Sequence, residues 1–502
     1  MTNTIPQTTI EPPIAGTPLP KTTAETVTPP KPRSKKTLLL ITGLALFILL
    51  VIATTAAFYP RLFSLLTPST TSTATKPATE SIPPQPTVPV HELIGSSTAP
   101  VRLTYAIHWT EPFQTDGIYE NGQLKSKGLK QYLQEYVALY PEVAFQIQAI
   151  NYGEYAAKLP LLAAAGTSPD IYQIYSPWGV SYVNQGLLDT PPAEVIADVK
   201  ANYVSYKGAT IDDQVWGFPT EVNTYALVYN KEIFKEAGIT KPPKTFSELV
   251  DAAVATTKYD ANGNIVRYGI AFLKGNDWQV VDPFLAWTFT NGGGYLSPDL
   301  SAALFNSPAA KQVLEGELQL FTRRATDNNG NFFNFKDGKV AMVISPPWPK
   351  AIFKAGFGDR FDSVVGVAPL PYFQKPATLQ YSWFMGVMAQ SKYRSQAWEF
   401  LKWFNTEVQA SGTTRYGDLL ADTIGAIPSR KIDLDGHQSI LADSFTSVFV
   451  DQIKSSISEP NVANADQIKK LLMSQIEAAW SGQKSAAEAL DAAAAAVNAL
   501  LK

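Results

Sequence analysis

The chain contains 502 residues, of which 45% are hydrophobic and 17% are charged. This balance is typical of globular proteins, and the length exceeds what one hydrophobic core accommodates. The formal net charge is −3, which argues against a nucleic-acid-binding protein with a basic face. The chain has no cysteine, so disulfides, thiolate metal sites and lipid attachment through cysteine are excluded.

Near the N-terminus, an uncharged stretch of apolar and small residues runs from Thr37 to Tyr59. As a helix it would be roughly 34 Å long, enough to cross a bilayer core of about 30 Å. Four basic residues stand just before it, namely Lys31, Arg33, Lys35 and Lys36. The positive-inside rule therefore predicts a single-pass anchor in the cell membrane, with a cytoplasmic N-terminus and an extracytoplasmic body. A cleaved signal peptide is the alternative, since residues 53–57 are small.

Two tracts rich in proline and threonine flank this stretch, within residues 1–36 and 60–100. Neither has enough apolar residues to form a core, so we expect 1–36 to be a disordered cytoplasmic tail. Residues 60–100 are predicted to be a semi-extended linker that holds the body near the membrane while leaving it free to turn.

The body begins with a β-α-β pattern. Apolar residues alternate with others from Val101 to Ile107 and again from Val143 to Ile147, which predicts two strands. Between them, apolar side chains recur at helical spacing from Leu129 to Tyr140, and Pro141 ends the predicted helix. Because a helix joins them, the two strands should be parallel with a right-handed crossover.

Capping boxes predict two further helices. Thr245 and Ser485 are each followed three residues later by a glutamate, at Glu248 and Glu488, as in helix N-termini stabilised by reciprocal hydrogen bonds. Strands and helices therefore interleave along the body, and the predicted fold class is α/β.

Sequence motifs of catalysis and metal binding are scarce. The chain contains neither a Gly-x-Ser-x-Gly elbow nor a phosphate-binding Gly-x-x-x-x-Gly-Lys loop. His108 stands alone, whereas a metal site needs several converging ligands. Stretches rich in Asp, Asn and Gly at 260–264 and 327–331 lack the glutamate that ends a calcium loop and are interpreted as turns. We therefore predict no catalytic residues, no metal site and no cofactor.

Carboxylate pairs leave one catalytic alternative open. The two acids of a glycoside hydrolase come together in space, so their spacing in sequence excludes nothing. Glu221, Asp282 and Asp170 lie beside predicted loops and are the candidates.

Tryptophans near predicted loops are more informative. Five of them stand beside Pro, Gly, Asp, Asn or Ser: Trp109, Trp178, Trp278, Trp348 and Trp383. Flat aromatic faces suit the apolar C–H faces of sugar rings, while polar side chains bond the hydroxyl groups at the rim. We expect at least two of the five to line a binding cleft and the others to pack in the core.

Four motifs in order give the chain a family resemblance. They are the segment 161–171 (LLAAAGTSPDI), the segment 216–231 that begins Trp-Gly-Phe-Pro-Thr-Glu, the segment 335–342 (FKDGKVAM) and the segment 367–371 (VAPLP). With these motifs, residues 101–502 resemble the extracellular solute-binding proteins of sugar ABC importers, the family that includes maltose-binding protein.

This resemblance implies a hinged, two-lobe fold like that of periplasmic binding proteins. The first lobe would comprise residues 101–221 with 388–430, and the second 222–387 with 431–502. Matching positions to the family's cleft predicts the ligand-binding residues Trp178, Glu221, Trp278, Asp282, Trp348 and Trp383, with Trp109 and Tyr175 as second choices. Trp278 and Trp348 would stack on the ligand, and Glu221 and Asp282 would accept hydrogen bonds from its hydroxyl groups.

The implied function is capture of a small ligand, a mono- or oligosaccharide, by closure of the lobes and its delivery to an ABC permease. The permease and its ATPase would be separate chains. Residues 176–178 depart from the maltose-binding pattern, so maltose itself is not predicted. Three alternatives remain: a surface glycoside-active enzyme, a receptor for a non-sugar solute such as a peptide or polyamine, and an anchored sensor that presents sugar to a signalling partner.

Overall fold

The computed structural model describes residues 92–109 and 111–502. The predicted cytoplasmic tail, the membrane anchor at 37–59 and residues 60–91 of the predicted linker lie outside these residues. The last part of the predicted linker is instead part of the body, because Leu93–Ile94 pairs with Val143–Ala149 in a sheet. Within the described part, no helix is both long and apolar enough to cross a bilayer.

Sixteen strands are numbered here in chain order within the described residues. They are β1 (Leu93–Ile94), β2 (Val101–Ile107), β3 (Ile118–Glu120), β4 (Gln123–Ser126), β5 (Val143–Ala149), β6 (Ile171–Tyr175), β7 (Thr210–Ile211), β8 (Gln214–Val215), β9 (Phe218–Thr224), β10 (Ala226–Asn230), β11 (Lys258–Tyr259), β12 (Ile265–Ile270), β13 (Val340–Ser345), β14 (Val365–Ala368), β15 (Thr378–Val387) and β16 (Ser456–Ser458).

Helices of very different length connect these strands and are named here by their bounds. The α-helices are Pro112–Asp116, Leu129–Leu139, Tyr152–Ala164, Gly179–Asn184, Ala193–Asn202, Lys231–Glu236, Phe246–Thr256, Asp277–Thr290, Pro308–Thr322, Lys350–Phe357, Phe361–Val364, Arg394–Asn405, Arg415–Asp418, Lys431–Gly436, Gln438–Leu441, Thr446–Gln452, Ala465–Trp480 and Ala486–Leu500. Short 3₁₀ turns occur at Ser176–Trp178, Lys207–Ala209, Phe332–Asp337, Gly358–Arg360 and Ile453–Ser455, and a π-helical turn at Leu419–Ile424.

The first sheet has the strand order β1-β5-β2-β6-β15-β16, with β9 paired to β15. β2 and β5 are parallel, from Val101 opposite Val143 to Ile107 opposite Ala149, and the helix Leu129–Leu139 connects them. The predicted β-α-β unit is therefore confirmed. Helix Arg394–Asn405 covers the same face of the sheet, where the rings of Phe145 and Phe400 lie 4.7 Å apart.

The second sheet has the order β11-β12-β13-β10-β14. β12 and β13 are parallel, whereas β10 is antiparallel to both of its neighbours. Helix Phe246–Thr256 packs against β12 and β13 and begins at the predicted Thr245 capping box; the predicted box at Ser485 also forms. Two sheets with helices on their faces confirm the α/β class.

The chain crosses between the sheets at Tyr225, the single residue between β9 and β10. Its amide and carbonyl are both held by the Thr378 hydroxyl, which accepts from the amide at 3.2 Å and donates to the carbonyl at 2.8 Å. Thr378 begins β15, and β15 pairs with β6, β9 and β16 of the first sheet. Residues 222–224, 378–387 and 456–458 were expected in the second lobe and instead lie in the first sheet, because β15 pairs there with β6, β9 and β16. The other lobe boundaries stay predictions.

Candidate functional site

The candidate site lies where parallel strands of the first sheet end. His108 directly follows β2, Tyr175 is the last residue of β6, and Trp178 lies in the 3₁₀ turn after it. Trp383 on β15 is paired with Tyr175 across the ladder. In open α/β sheets, ligands bind outside the carboxyl ends of the strands. The topology therefore places these four side chains at the edge where a ligand is expected.

Five rings meet at this edge and are called the aromatic cluster: Tyr152, Tyr175, Trp178, Tyr381 and Trp383. Trp178 lies 5.7 Å from Trp383 at an interplanar angle of 77°, and Tyr175 lies 5.2 Å from Trp383. Tyr152 lies 5.8 Å from Trp178, and Tyr381 lies 5.8 Å from Tyr175. The predicted residues Tyr175, Trp178 and Trp383 are thus together. Edge-to-face packing of this kind stabilises the cluster beyond the burial of its surface.

A charged cluster forms beside these rings around Lys469. Its ammonium lies 2.6 Å from Asp282 Oδ1, 3.4 Å from Glu459 Oε1 and 3.8 Å from Asp277 Oδ2. Lys469 is fully buried and Asp282 is 1% exposed. Desolvation makes such charges expensive, and they persist only when well paired. The predicted residue Asp282 is therefore held by a cation from the helix Ala465–Trp480.

Tyrosine hydroxyls connect the two clusters. The Tyr175 hydroxyl donates to Glu459 and accepts from Lys469 at 3.2 Å, and the Tyr225 hydroxyl donates to Asp282 Oδ2 at 2.9 Å. Lys469 belongs to a helix that packs on Asp277–Thr290 behind the second sheet. Tyr175 belongs to the first sheet, so these bonds join the two halves of the molecule.

In the charged cluster, burial and charge pairing act in opposite directions on the pKa of each residue. Burial raises the pKa of Asp282 to about 7, although Lys469 opposes the shift. Burial alone would lower the pKa of Lys469, but the carboxylates of Asp282, Glu459 and Asp277 raise it well above its usual range. Near neutral pH the lysine is therefore charged, and its attraction for Asp282 opposes the effect of burial, which favours the neutral carboxyl.

Trp278, in the first turn of the helix Asp277–Thr290, and Trp348, after β13, form a second aromatic contact. Their rings lie 5.2 Å apart at 63°, and Trp278 also packs on Phe332 at 5.1 Å. Trp348 lies next to the Tyr381 hydroxyl, so this pair adjoins the aromatic cluster. Both tryptophans are partly exposed, which leaves ring surface available for a ligand.

Glu221 and Trp109 lie farther along the first sheet, near Tyr416. The ring of Trp109 stacks on Tyr416 at 6.4 Å, and Trp109 is 4% exposed within the core of the first half. Burial raises the pKa of Glu221 to about 7, and its Oε2 has no hydrogen-bond partner within the described part of the chain. Glu221, which is 6% exposed, is therefore buried like Trp109, and the ring of Trp109 is used in packing.

Sequence reasoning missed Lys469 and Glu459. The buried face of the helix Ala465–Trp480 includes Ile468, Leu472 and Ile476, and Lys469 lies on it too. A lysine within an apolar stripe is a readable signal, because unpaired lysines are almost never fully buried. Glu459 gives no such signal, since it follows β16 in an irregular segment.

The Asp/Asn/Gly stretches form the predicted turns. Asp260 Oδ1 accepts hydrogen bonds from the amides of Asn262 and Asn264, at 2.9 and 2.8 Å. Asp327 Oδ1 accepts in the same way from the amide of Asn329, at 2.8 Å. Each carboxylate therefore caps its own turn.

Comparison with known proteins supports the fold. A protein of Pyrococcus abyssi named maltotriose-binding protein is 27% identical over 297 residues, which are 54% of this chain and 58% of that protein. An ABC transporter solute-binding protein of Thermotoga lettingae, solved bound with alpha-D-tagatose, has a TM-score of 0.66 and 22% identity; the match covers 74% of this chain and 95% of that one. A receptor of Streptomyces glaucescens, solved unliganded and with acarbose, also has a TM-score of 0.66 and 22% identity, over 80% and 98%.

The two structural matches confirm the two-lobe α/β fold. Residues 121–410, more than half of the chain, match the family of bacterial extracellular solute-binding proteins. The resemblance inferred from the four sequence motifs is therefore confirmed. The chain belongs to the family of bacterial extracellular solute-binding proteins.

Proposed function

We propose that this protein is an extracytoplasmic receptor that captures a carbohydrate between its two halves and delivers it to an ABC permease. The permease and its ATPase would be separate chains. The observation that carries the proposal is the aromatic cluster at the carboxyl ends of β2 and β6, with the charged cluster directly beside it. Rings offer flat faces to a sugar, and carboxylates with an ammonium bond its hydroxyl groups.

The names of similar proteins agree with this ligand class. The Pyrococcus protein is named for maltotriose, and the two solved structures contain tagatose and acarbose. The ligands differ in size, so they support a carbohydrate without selecting one.

Both halves of the molecule contribute to the site, which supports capture by closure. The Tyr152 hydroxyl, from the first half, lies 3.5 Å from Asp277 Oδ1 in the second, and Lys469 contacts Asp282 and Tyr175 together. A ligand that touches both halves favours the closed arrangement by the contacts that only closure provides.

The proposal is binding without turnover. The family consists of ligand-binding transport proteins, and Asp282 already pairs with Lys469 and Tyr225. A surface glycoside-active enzyme would release new reducing ends from an oligosaccharide. Incubating the protein with its tightest-binding oligosaccharide should leave the sugar unchanged by chromatography, and any cleavage abolished by Asp282→Asn would establish the enzyme instead.

Membrane attachment through residues 37–59 is part of the same proposal, with the body on the extracytoplasmic side. The uncharged stretch and the basic residues before it support this topology. In membranes from expressing cells, the full chain should resist alkaline extraction, and protease added outside should digest the body. Recovery of a shortened, freely soluble protein that begins near residue 57 would show a cleaved signal peptide.

Calorimetric titration of the full chain against a sugar panel tests the ligand class. The panel contains monosaccharides, malto- and galacto-oligosaccharides, a peptide mixture and spermidine. A sugar at a hundred times its Kd should also stabilise the fold by about 2.7 kcal/mol. Trp383→Ala should weaken sugar binding at least tenfold, while Tyr259→Ala, an exposed ring on β11, should leave it unchanged. Binding only to the peptides or spermidine would refute the carbohydrate assignment.

A further inference from the structure

His437 lies next to two carboxylates, and none of the three residues belongs to the proposed ligand site. Its Nε2 is 3.1 Å from Asp418 Oδ1 and 3.8 Å from Asp422 Oδ1. One donor atom from each of these three side chains lies within 4.8 Å of the others. The sequence predicted no metal site, because residues 418 and 437 are too far apart in the chain to form an obvious motif.

The ring orientation of His437 is fixed by a backbone bond. Its Nδ1 lies 2.7 Å from the carbonyl oxygen of Asp433, and a carbonyl only accepts, so the hydrogen must be on Nδ1. In a neutral imidazole the lone pair is then on Nε2. His437 is 6% exposed. In the neutral ring, Nε2 is therefore a buried hydrogen-bond acceptor that faces the carboxylates of Asp418 and Asp422.

Either a proton on Nε2 or a metal ion between the groups satisfies these three acceptors. A proton on Nε2 can be donated to only one carboxylate, and Asp418 is the nearer one. Asp418 also accepts from Thr413 at 2.5 Å and from Gln409 at 2.7 Å. Asp422 would then be left at 3.8 Å. A metal ion would serve all three groups at once.

The geometry points to a divalent-metal site formed by Asp418, Asp422 and His437. Donors held at about 2.0–2.2 Å from one ion lie roughly 3.0–3.6 Å apart. His437 Nε2 is 3.1 Å from Asp418 and 3.8 Å from Asp422, and all three donor atoms lie within 4.8 Å of one another, so Asp422 has to move closer to share an ion. Asp422 is partly exposed and is free to make the small movement required. A histidine whose other nitrogen donates to a backbone carbonyl is a common arrangement among metal ligands. One imidazole with two carboxylates suits zinc or manganese better than calcium.

The ion would tie the two ends of a segment that adjoins the ligand site. Between Asp422 and His437 the chain passes beside β9, where Ile427 O accepts from the amide of Val222 at 2.9 Å. Pro428 forms a bridge with Glu221 in the same segment. Binding of the ion would therefore stabilise the backbone beside Glu221, and this effect does not depend on which solute the receptor carries.

Metal titration of the full chain tests the site. After EDTA treatment and transfer to chelator-free buffer at pH 7.5, the protein is titrated by calorimetry with ZnCl₂, MnCl₂ and CaCl₂ separately. We expect one equivalent of zinc or manganese to bind more tightly than calcium. His437→Gln and Asp422→Asn should each weaken binding at least tenfold. Asp435→Asn, an exposed carboxylate on the preceding helix, should leave it unchanged.

The thermal midpoint gives an independent reading of the same site. Zinc should raise the midpoint of the wild type and of Asp435→Asn but not that of His437→Gln, and EDTA should reverse the rise. The midpoints of the metal-free variants show whether each has folded. Equal zinc affinity in all four proteins, or no binding to the wild type, would overturn the proposal and leave a protonated His437 as the cation.

Discussion

Replacing Lys469 with methionine tests whether the charged cluster holds the two halves of the protein together. Methionine has a similar length and no charge, so the variant leaves Asp282 and Glu459 buried without their cation. Breaking a buried ion pair by removing one partner costs about 3–5 kcal/mol. We expect the free energy of unfolding at pH 8.5 to fall by that amount.

The loss should depend on pH, because Asp282 can take up a proton in place of its partner. Burial raises its pKa to about 7 even with Lys469 opposing, so the pKa will be higher still in the variant. At pH 5, Asp282 is then neutral and the loss should shrink to less than about half of its value at pH 8.5. The lysine does not contribute to this change: its folded pKa is raised, so its stabilisation is fully present at both pH values and is lost only above them.

Urea unfolding followed by tryptophan fluorescence measures the effect, with Lys470→Met as the matched control. Lys470 is the next residue on the same helix, and its 2.8 Å pair with Asp466 is largely exposed. Exposed pairs of this kind contribute about 0.3–0.5 kcal/mol. If both variants lose similar small amounts at pH 8.5, the charged cluster does not stabilise the junction and the reasoning is wrong.

Further substitutions test other parts of the structure by the same unfolding measurement. Burial raises the pKa of Glu221 from 4.5 to about 7 in the folded protein, so the free energy of unfolding should fall by at most about 3 kcal/mol as the pH rises from 4.5 to 7. Glu221→Gln should remove this pH dependence. If the pH dependence is unchanged in the variant, Glu221 is solvated. Gly269→Ala should lower the free energy of unfolding by about 1–3 kcal/mol, because its new Cβ would lie 1.8 Å from Ala253 O. Gly153 lies in the helix Tyr152–Ala164, and nothing lies within 4 Å of a Cβ added there. Gly153→Ala should therefore raise the free energy of unfolding by about 0.4–1 kcal/mol. Equal effects of the two alanine substitutions would contradict the packing around β12.

Local patterns predicted the elements of the fold but not where each strand pairs. Alternation and helical spacing identified β2, β5 and the helix between them, since those elements have one buried face each. β15 is buried on nearly every residue, so it carries no alternation, and its ladder partners β6 and β9 are about 150 to 200 residues away in the chain. Long-range pairing of this kind is decided by tertiary contacts, which is why residues 378–387 were expected in the wrong half.

The aromatic part of the candidate site was predictable because tryptophan beside a strand end is a distinctive pattern. Trp178 and Trp383 come together beside Tyr175, whereas Trp109 follows the same pattern and packs on Tyr416 instead; all three tryptophans are buried. Sequence cannot separate these cases, because what distinguishes them is the neighbour supplied by a distant segment. The charged residues Glu459 and Lys469 lie beside the aromatic cluster, but no sequence motif indicated that they belong to the site.

The composition of the junction is consistent with the proposed closing and reopening of the two halves. The bonds that join the halves are made by hydroxyl, carboxylate and ammonium groups, as between Tyr175 and Lys469 or Tyr152 and Asp277. Water can replace each of these bonds when the halves separate, so the net contribution of each bond is only about 1.5–3 kcal/mol. The large rings of Trp178 and Trp383 pack with one another on the first half and need not be pulled apart. A ligand that adds a few contacts to both halves is then enough to shift the balance toward the closed state.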